Sequence, residues 1–306
     1  MEFIKPDINL DFVGWRRWAI TGSIVLILLG VASLIMKGGP RYGIDFAGGT
    51  LVQIRFNQTP DIGKIRDTLG KKGIKSAVIQ SLGEDKVAIR VKSTAGEEES
   101  LADSIGRTLA EKFGKNNVSV ELVEMVGPQV GADMRRKGVL SIIYAMAGIL
   151  VYITLRFQFR FAVGAIVALI HDIMITIGAF SVMDKEFTLP VIAALLTIIG
   201  YSLNDTIVVY DRIRENMRKS PKDELSGVIN ASINQTLSRT ILTSGTTFLV
   251  LICLFVLGGD VIHDFSFALL IGVVVGTYSS IFIASPILLL GKGVKVVSTG
   301  RRKKKK

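Results

Sequence analysis

The chain has 306 residues, 49% of them hydrophobic and 21% charged, with a mean hydropathy of +0.47, which is too apolar for a water-soluble enzyme. Its formal charge of +11 fits nucleic acid, an anionic membrane surface or a topological bias, and the placement of the charges decides among them. One cysteine, Cys253, and two histidines, His171 and His263, leave no intramolecular disulfide or zinc site within reach, and no cofactor is expected.

The first apolar run, Trp18 to Met36, is long enough to cross a hydrocarbon core. Gly39, Pro40 and Arg41 follow it in place of a small-residue cleavage site, so it is expected to stay in the membrane. Uncharged runs recur at Gly138 to Leu155, Thr240 to Gly259 and Phe265 to Gly291. Phe161 to Met183 and Phe187 to Tyr210 are as long, but hold His171 and Asp172 in one and Asn204 and Asp205 in the other. Six spans put both termini on one side. The short loops of that side carry Arg16, Arg17, Arg156, Arg160, Arg212, Arg214 and Arg218, against Lys185 alone on the other, so both termini are expected to be cytoplasmic. The net charge is then mostly topology. The organisation expected is a cytoplasmic segment (1–15), a first span (16–36), an extracytoplasmic domain (37–137), five further spans (138–291) and a basic cytoplasmic tail (292–306). The tail's final run, Arg301 to Lys306, reads as contact with anionic lipid headgroups or as a solvated anchor.

Between spans one and two the pattern changes to mixed charge and alternation. Thr50 to Phe56 alternates as a strand, and Pro60 to Gly73 reads as a helix. Ser76 to Leu82 and Lys86 to Lys92 read as strands around a Gly83-Glu84-Asp85 turn. Glu97 to Lys115 is an amphipathic helix and Asn117 to Met125 a last strand. The order β-α-β-β-α-β predicts a ferredoxin-like α+β sandwich, with no acid cluster or nucleophile elbow in it, so binding or force transmission is expected there, not catalysis.

Inside the spans the polar residues carry the argument. Asp205 lies six residues before Asp211, about 9 Å inside the cytoplasmic boundary at the helical rise. Intramembrane acids face protein or water and mark ion pathways, so Asp205 is a candidate proton site, against a static helix contact. Tyr201 and Ser202, four and three residues earlier, are placed to hydrogen-bond it, with Asn204 beside it. Arg239, at the start of span five, reads either as a snorkelling anchor or as a fixed cation near Asp205. Arg239, Thr243 and Thr246 or Thr247 share a face expected to pack on other spans. Adjacent positions on a helix point apart, so His171 and Asp172 are not expected to form a dyad; Asp172 reads either as support for the site or as a structural contact. Gly200, Gly245 and Gly272 are expected at close helix contacts. The link from Arg212 to Ser238 has Leu225, Val228, Ile229, Ile233 and Leu237 at helical spacing, for an interfacial helix or for core packing.

Four stretches carry a resemblance: GIDFAGGT (Gly43 to Thr50), VGPQVGADM (Val126 to Met134), GYSLNDTIVVYDRIREN (Gly200 to Asn216) and NQTLSRTILTSGTT (Asn234 to Thr247). With the arrangement of one span, an outside domain and five spans, they resemble the SecF branch of the SecD/SecF protein-export family, in the RND superfamily. The resemblance implies an accessory to the Sec translocase that acts with SecD and uses the proton gradient to assist export across the bacterial cytoplasmic membrane. It also implies proton-pathway roles for Asp205 and Arg239, and as partners the SecYEG translocon, its accessory subunits and exported preproteins. Two alternatives are weaker. A self-contained RND exporter of small molecules or lipids carries two such halves, where this chain has one. An intramembrane aspartyl protease needs a GxGD motif, and Leu257-Gly258-Gly259-Asp260 lacks the first glycine, so no enzyme is expected.

Overall fold

The computed structural model describes residues 9–74, 77–91 and 98–290, and the basic tail lies outside them. Helix α1 (Phe12–Met36) starts at Asp11, whose carboxylate accepts the Gly14 amide at 2.8 Å. The four-residue helix α2 (Ile44–Ala47) leads into strand β1 (Gly49–Phe56) through Gly48 at φ 73° and Gly49 at φ 132°, angles that L side chains rarely adopt. Helix α3 (Ile62–Lys71), strands β2 (Val78–Leu82) and β3 (Lys86–Val91), helix α4 (Glu98–Phe113) and strand β4 (Val118–Val126) complete the expected order.

The sheet is antiparallel, in the order β2-β3-β1-β4, which is the ferredoxin-like arrangement with the first and third strands central. Alternation puts Val52, Ile54 and Phe56 of β1 on the same face as Val87, Ile89 and Val91 of β3, and this face packs on Ile65 and Leu69 of α3 and Ile105 and Leu109 of α4. Each such burial stabilises by about 1.5–3 kcal/mol. These elements belong to one compact unit, Pro40–Ser141 with Glu186–Ile192, called here the sheet unit. Within it the Glu186 carboxylate stands between Arg41 at 3.3 Å and Arg90 at 3.0 Å. Tyr42 pairs with Phe187, and Asp45 accepts the Leu189 amide at 2.7 Å.

The remaining helices are α5 (Pro128–Arg156), α6 (Phe159–Val182), α7 (Leu189–Lys219), α8 (Leu225–Leu257) and α9 (Asp260–Ser279). A π-helical turn (Ser280–Ala284) joins α9 to the last short helix, α10 (Ser285–Ile287). Among the described residues six helical stretches are long and apolar enough to cross a membrane, the last being Ile262–Ile287. The second compact unit, the helical unit, takes the rest of the described chain. Its centre is α6 and the last span, each with 61% of its apolar window buried, against 11% for α1 and α5.

Several boundaries differ from the expectation. The link after Arg212 does not form a separate interfacial helix: from Leu225 it is continuous with span five in 33 residues. At the helical rise that is about 50 Å, more than a hydrocarbon core of about 30 Å. Val228, Ile229, Ile233 and Leu237 are buried in the core with Phe157, Ile213 and Met217, so core packing claims that stripe. The π turn has a local cause in Pro286, which has no amide to donate to the preceding turn. The Leu288 amide turns to the Ser285 carbonyl at 3.2 Å, which leaves the Ala284 carbonyl to accept the Tyr210 hydroxyl at 3.0 Å, and the Ser285 hydroxyl reaches the Ser280 carbonyl at 2.7 Å. Of the three glycines expected at close contacts, Gly272 meets Ile198, whereas Gly200 and Gly245 have no described atom within 4 Å of a side-chain position. Backbone meets backbone where Gly30 of α1 crosses Gly178 of α6, and a Cβ on Gly30 would stand 2.6 Å from the Gly178 Cα.

Candidate functional site

Along helix α7 the buried Val191, Leu195, Ile198, Ser202, Asp205, Val209 and Ile213 recur in steps of three and four residues. Asp205 is therefore carried inward by the same stripe that packs Ile198 and Val209, and it is 3% exposed. Its Oδ2 accepts the Ser244 hydroxyl of α8 at 3.2 Å, and the Thr277 hydroxyl of α9 donates to Ser244 Oγ at 2.7 Å. Ser244 sits on the inner stripe of α8 with Ile233, Leu237 and Thr240.

The face expected to pack on other spans is turned outward in this chain. Arg239, Thr243 and Thr246 are exposed, while Thr247 is partly buried. Their hydroxyls are spent on their own helix: Thr243 donates to the Arg239 carbonyl at 3.0 Å and Thr247 to the Thr243 carbonyl at 3.0 Å. Arg239 makes no ion pair with Asp205 among the described residues. Ser244 is next to Thr243, and one step of about 100° separates the outer face from the inner one.

Ser202 and Tyr201 do not bond Asp205 either. Ser202 donates to Asp172 Oδ2 of α6 at 2.6 Å, and the Tyr201 hydroxyl is enclosed without a partner. Three residues amount to about 300°, so Ser202 and Asp205 diverge by about 60°, enough to aim one at α6 and the other at α8. Asn204 is exposed.

Asp172, with no exposed surface, collects more donors than Asp205. Its Oδ2 also accepts the Ser279 hydroxyl at 2.9 Å, and its Oδ1 lies 2.9 Å from His171 Nδ1. This corrects the expectation that neighbours on a helix stay apart: Nδ1 and the carboxylate are both close to the backbone, and the two side chains fold toward each other between their positions. The His171 ring stacks on Tyr278 of α9 at 6.0 Å and 19°, and the Tyr278 hydroxyl donates to the Ala19 carbonyl at 2.6 Å. Gly276 makes room for this arrangement, since a Cβ there would stand 2.9 Å from Ser202 Cβ.

Two buried acids on adjacent helices thus each hold a set of small hydroxyls, tied together by α7 and α9. Sequence reading missed Ser244, Thr277 and Ser279. Their signal was the recurrence of Ser and Thr inside uncharged spans, where a hydroxyl has no water to face. No group of three or more His, Cys, Asp or Glu side chains that could share a metal ion occurs among the described residues.

The chain matches the family described as "Protein export membrane protein SecD/SecF, C-terminal" over residues 106–293, and the "SecD/SecF GG Motif" over residues 33–60, which contain GIDFAGGT. It is 50% identical to the protein translocase subunit SecF of Magnetococcus marinus over 294 residues, 95% of this chain and 94% of that one. It is 43% identical to the SecF of Vibrio alginolyticus, over 94% of this chain and 91% of that one. Among solved structures it resembles SecDF of Thermus thermophilus, a translocon-associated membrane protein, with a TM-score of 0.85 and 37% identity. That match covers 94% of this chain and spans 39% of the longer SecDF chain.

Proposed function

We infer, from the premise that the chain belongs to the SecD/SecF family as a SecF-type subunit, that it is an accessory subunit of the Sec protein translocase acting with a SecD-type partner. It is a multi-pass membrane protein. In the fuller reading it lies in the bacterial cytoplasmic membrane with both termini cytoplasmic and the sheet unit outside. There it uses the proton motive force to help exported preproteins leave the SecYEG translocon, with the basic tail on anionic lipids. The reading is mechanical: the family names supply no catalytic activity.

The observation that carries the proton-driven part is Asp205, buried in the membrane-spanning part of α7 and hydrogen-bonded by Ser244 of α8, which Thr277 of α9 bonds in turn. The carboxylate accepts from Ser244, which accepts from Thr277 in turn, whereas an acid protonated at Oδ2 donates, so gaining a proton there turns the Ser244 hydroxyl round and reverses both bonds of the relay. Hydroxyls can rotate to follow that reversal, and the packing of α7 on α8 and α9 then differs between the two states. In this reading Arg239 is the fixed charge that tunes the carboxylate from outside contact range.

The test is reconstitution of the chain with its SecD-type partner and the translocon, measuring export of a reporter with the gradient present or collapsed by an uncoupler. Asp205→Asn is isosteric and resembles the protonated acid, so we expect gradient-driven export to fall to the uncoupled level at unchanged membrane abundance and partner association. Full gradient-driven export in that variant ends the proton-site assignment. Arg239→Lys keeps the charge and should retain most gradient-driven export, whereas Arg239→Gln removes the charge and should impair it; full activity in Arg239→Gln would take Arg239 off the proton path.

A further inference from the structure

The His171 and Asp172 pair is unused by the role assigned to Asp205. Asp172 has two hydroxyl donors on one oxygen and an imidazole nitrogen on the other, and among the described residues no Lys or Arg pairs with it. A carboxylate so placed takes the Nδ1 proton as its third donor, which fixes His171 as the Nδ1–H tautomer. The other nitrogen, Nε2, then presents a lone pair. It is buried, in a residue 5% exposed, and among the described residues no hydrogen-bond donor reaches it. An unpaired buried acceptor costs about 1–3 kcal/mol, and a structural histidine avoids that by engaging both nitrogens.

We propose that His171 is a second proton-accepting site of this subunit, taking a proton at Nε2, and that Asp172 is its positioning residue. The step is a simple transfer: the Nε2 lone pair bonds a proton delivered by water, Nδ1 keeps its own, and release reverses it. Uptake takes the pair from one net negative charge to none, which suits the interior of a bilayer. The titratable groups on the helices packed around it are few. Tyr278 on α9 has its hydroxyl committed to Ala19; α7 offers Tyr201, Asp205 and Tyr210; Tyr144 and Tyr152 of α5 are exposed. Helix α1 has none between Arg17 and Lys37. Ser202 links the two sites mechanically, because it bonds Asp172 from the helix that carries Asp205.

The proposal rests on the proton-driven reading for its role, and its test separates the two. The chain has two histidines, so histidine-selective nitrogen labelling of the full chain in lipid nanodiscs gives two imidazole spectra, assigned with His263→Gln. We expect His171 to show the Nδ1–H tautomer at the alkaline end of spectra recorded from about pH 9 to pH 5, and protonation of both nitrogens toward the acid end. Asp172→Asn should abolish the tautomer preference, which a merely space-filling Asp172 would leave alone. His171→Gln should reduce gradient-driven export to the uncoupled level with partner association retained. A single unchanging tautomer across that range in folded protein overturns the proposal, and so does full gradient-driven export in His171→Gln. If an uncoupler leaves wild-type export unchanged, the proton-driven role falls, and the imidazole titration still decides whether His171 takes up protons.

Discussion

In the sheet unit the buried polar residues among those described are Thr50, Thr108 and Glu186, and the core is apolar from Val52 to Leu109. The helical unit buries His171, Asp172, Ser202, Asp205, Ser244 and Ser279, while Leu28, Leu29, Leu249 and Val250 stand exposed. Water around the first unit drives apolar atoms inward. In a hydrocarbon surround an exposed leucine costs nothing, whereas a carboxylate or hydroxyl must find its partner inside the protein. The same chain therefore follows two burial rules, and chemistry concentrates where the rule admits polar groups to the interior.

Leucine truncation is the sharpest way to break this contrast. Leu109 is fully buried in α4, and Leu109→Ala should destabilise the sheet unit by about 2–5 kcal/mol. Leu249 on α8 is 64% exposed, and Leu249→Ala should change stability by no more than about 0.5 kcal/mol. Unfolding of the full chain in lipid, followed by hydrogen exchange in each unit, measures both; a large loss from Leu249→Ala would mean that its face is covered by protein.

Next in size is the crossing of α1 and α6. A side chain at Gly178 would stand 2.9 Å from the Gly30 Cα, and backbone cannot rotate aside. Gly178→Leu should cost at least about 1–3 kcal/mol by forced separation of the helices, read as lower thermal stability and membrane abundance. Gly200→Ala, at a position with open space, should be close to neutral in the same assay. In the sheet unit, Gly48 and Gly49 hold positive φ, and a β-branched residue at either pays about 1–3 kcal/mol of backbone strain. The Gly48→Val, Gly49→Val double variant should insert normally yet export poorly; normal export would remove any transmitting role from that turn.

What could be read from the sequence follows from the same contrast. Alternation and amphipathic spacing recovered the four strands and two helices of the sheet unit because each residue's side was dictated by water. Asp205 was legible as an acid in an apolar run, and its inward direction follows from the stripe through Ile198 and Val209. Its partners were not legible. A span is apolar all round, so periodicity does not say which hydroxyl faces the interior, and Thr243 was favoured where Ser244 is the contact. The Asp172 and His171 contact depends on rotamers, which spacing does not contain. The continuity of α8 from Leu225 was hidden because its first half and second half follow different burial rules, so the change in pattern looked like a change of element.

The smallest effect expected lies at the edge of the sheet unit, where water weakens every polar contact. Asp61 caps α3 by accepting the Gly63 amide at 2.9 Å and the Lys64 amide at 3.3 Å. The Lys64 amide holds the Asp61 carboxyl below its ordinary value against the opposing effect of desolvation, with the Gly63 amide and the Lys64 charge adding to the lowering. A carboxyl lowered in the folded state stabilises above its unfolded pKa, about 3.9, and loses that contribution as the pH falls through the lower folded value. Asp61→Ala should therefore speed exchange of the first-turn amides Gly63 and Lys64 at neutral pH, with only a slight fall in the unit's melting temperature. The gap between variant and wild type should close as the pH falls below that of an ordinary carboxylate. A gap that persists unchanged into strong acid would show that the cap works through the shape of the turn, not through the carboxylate's charge.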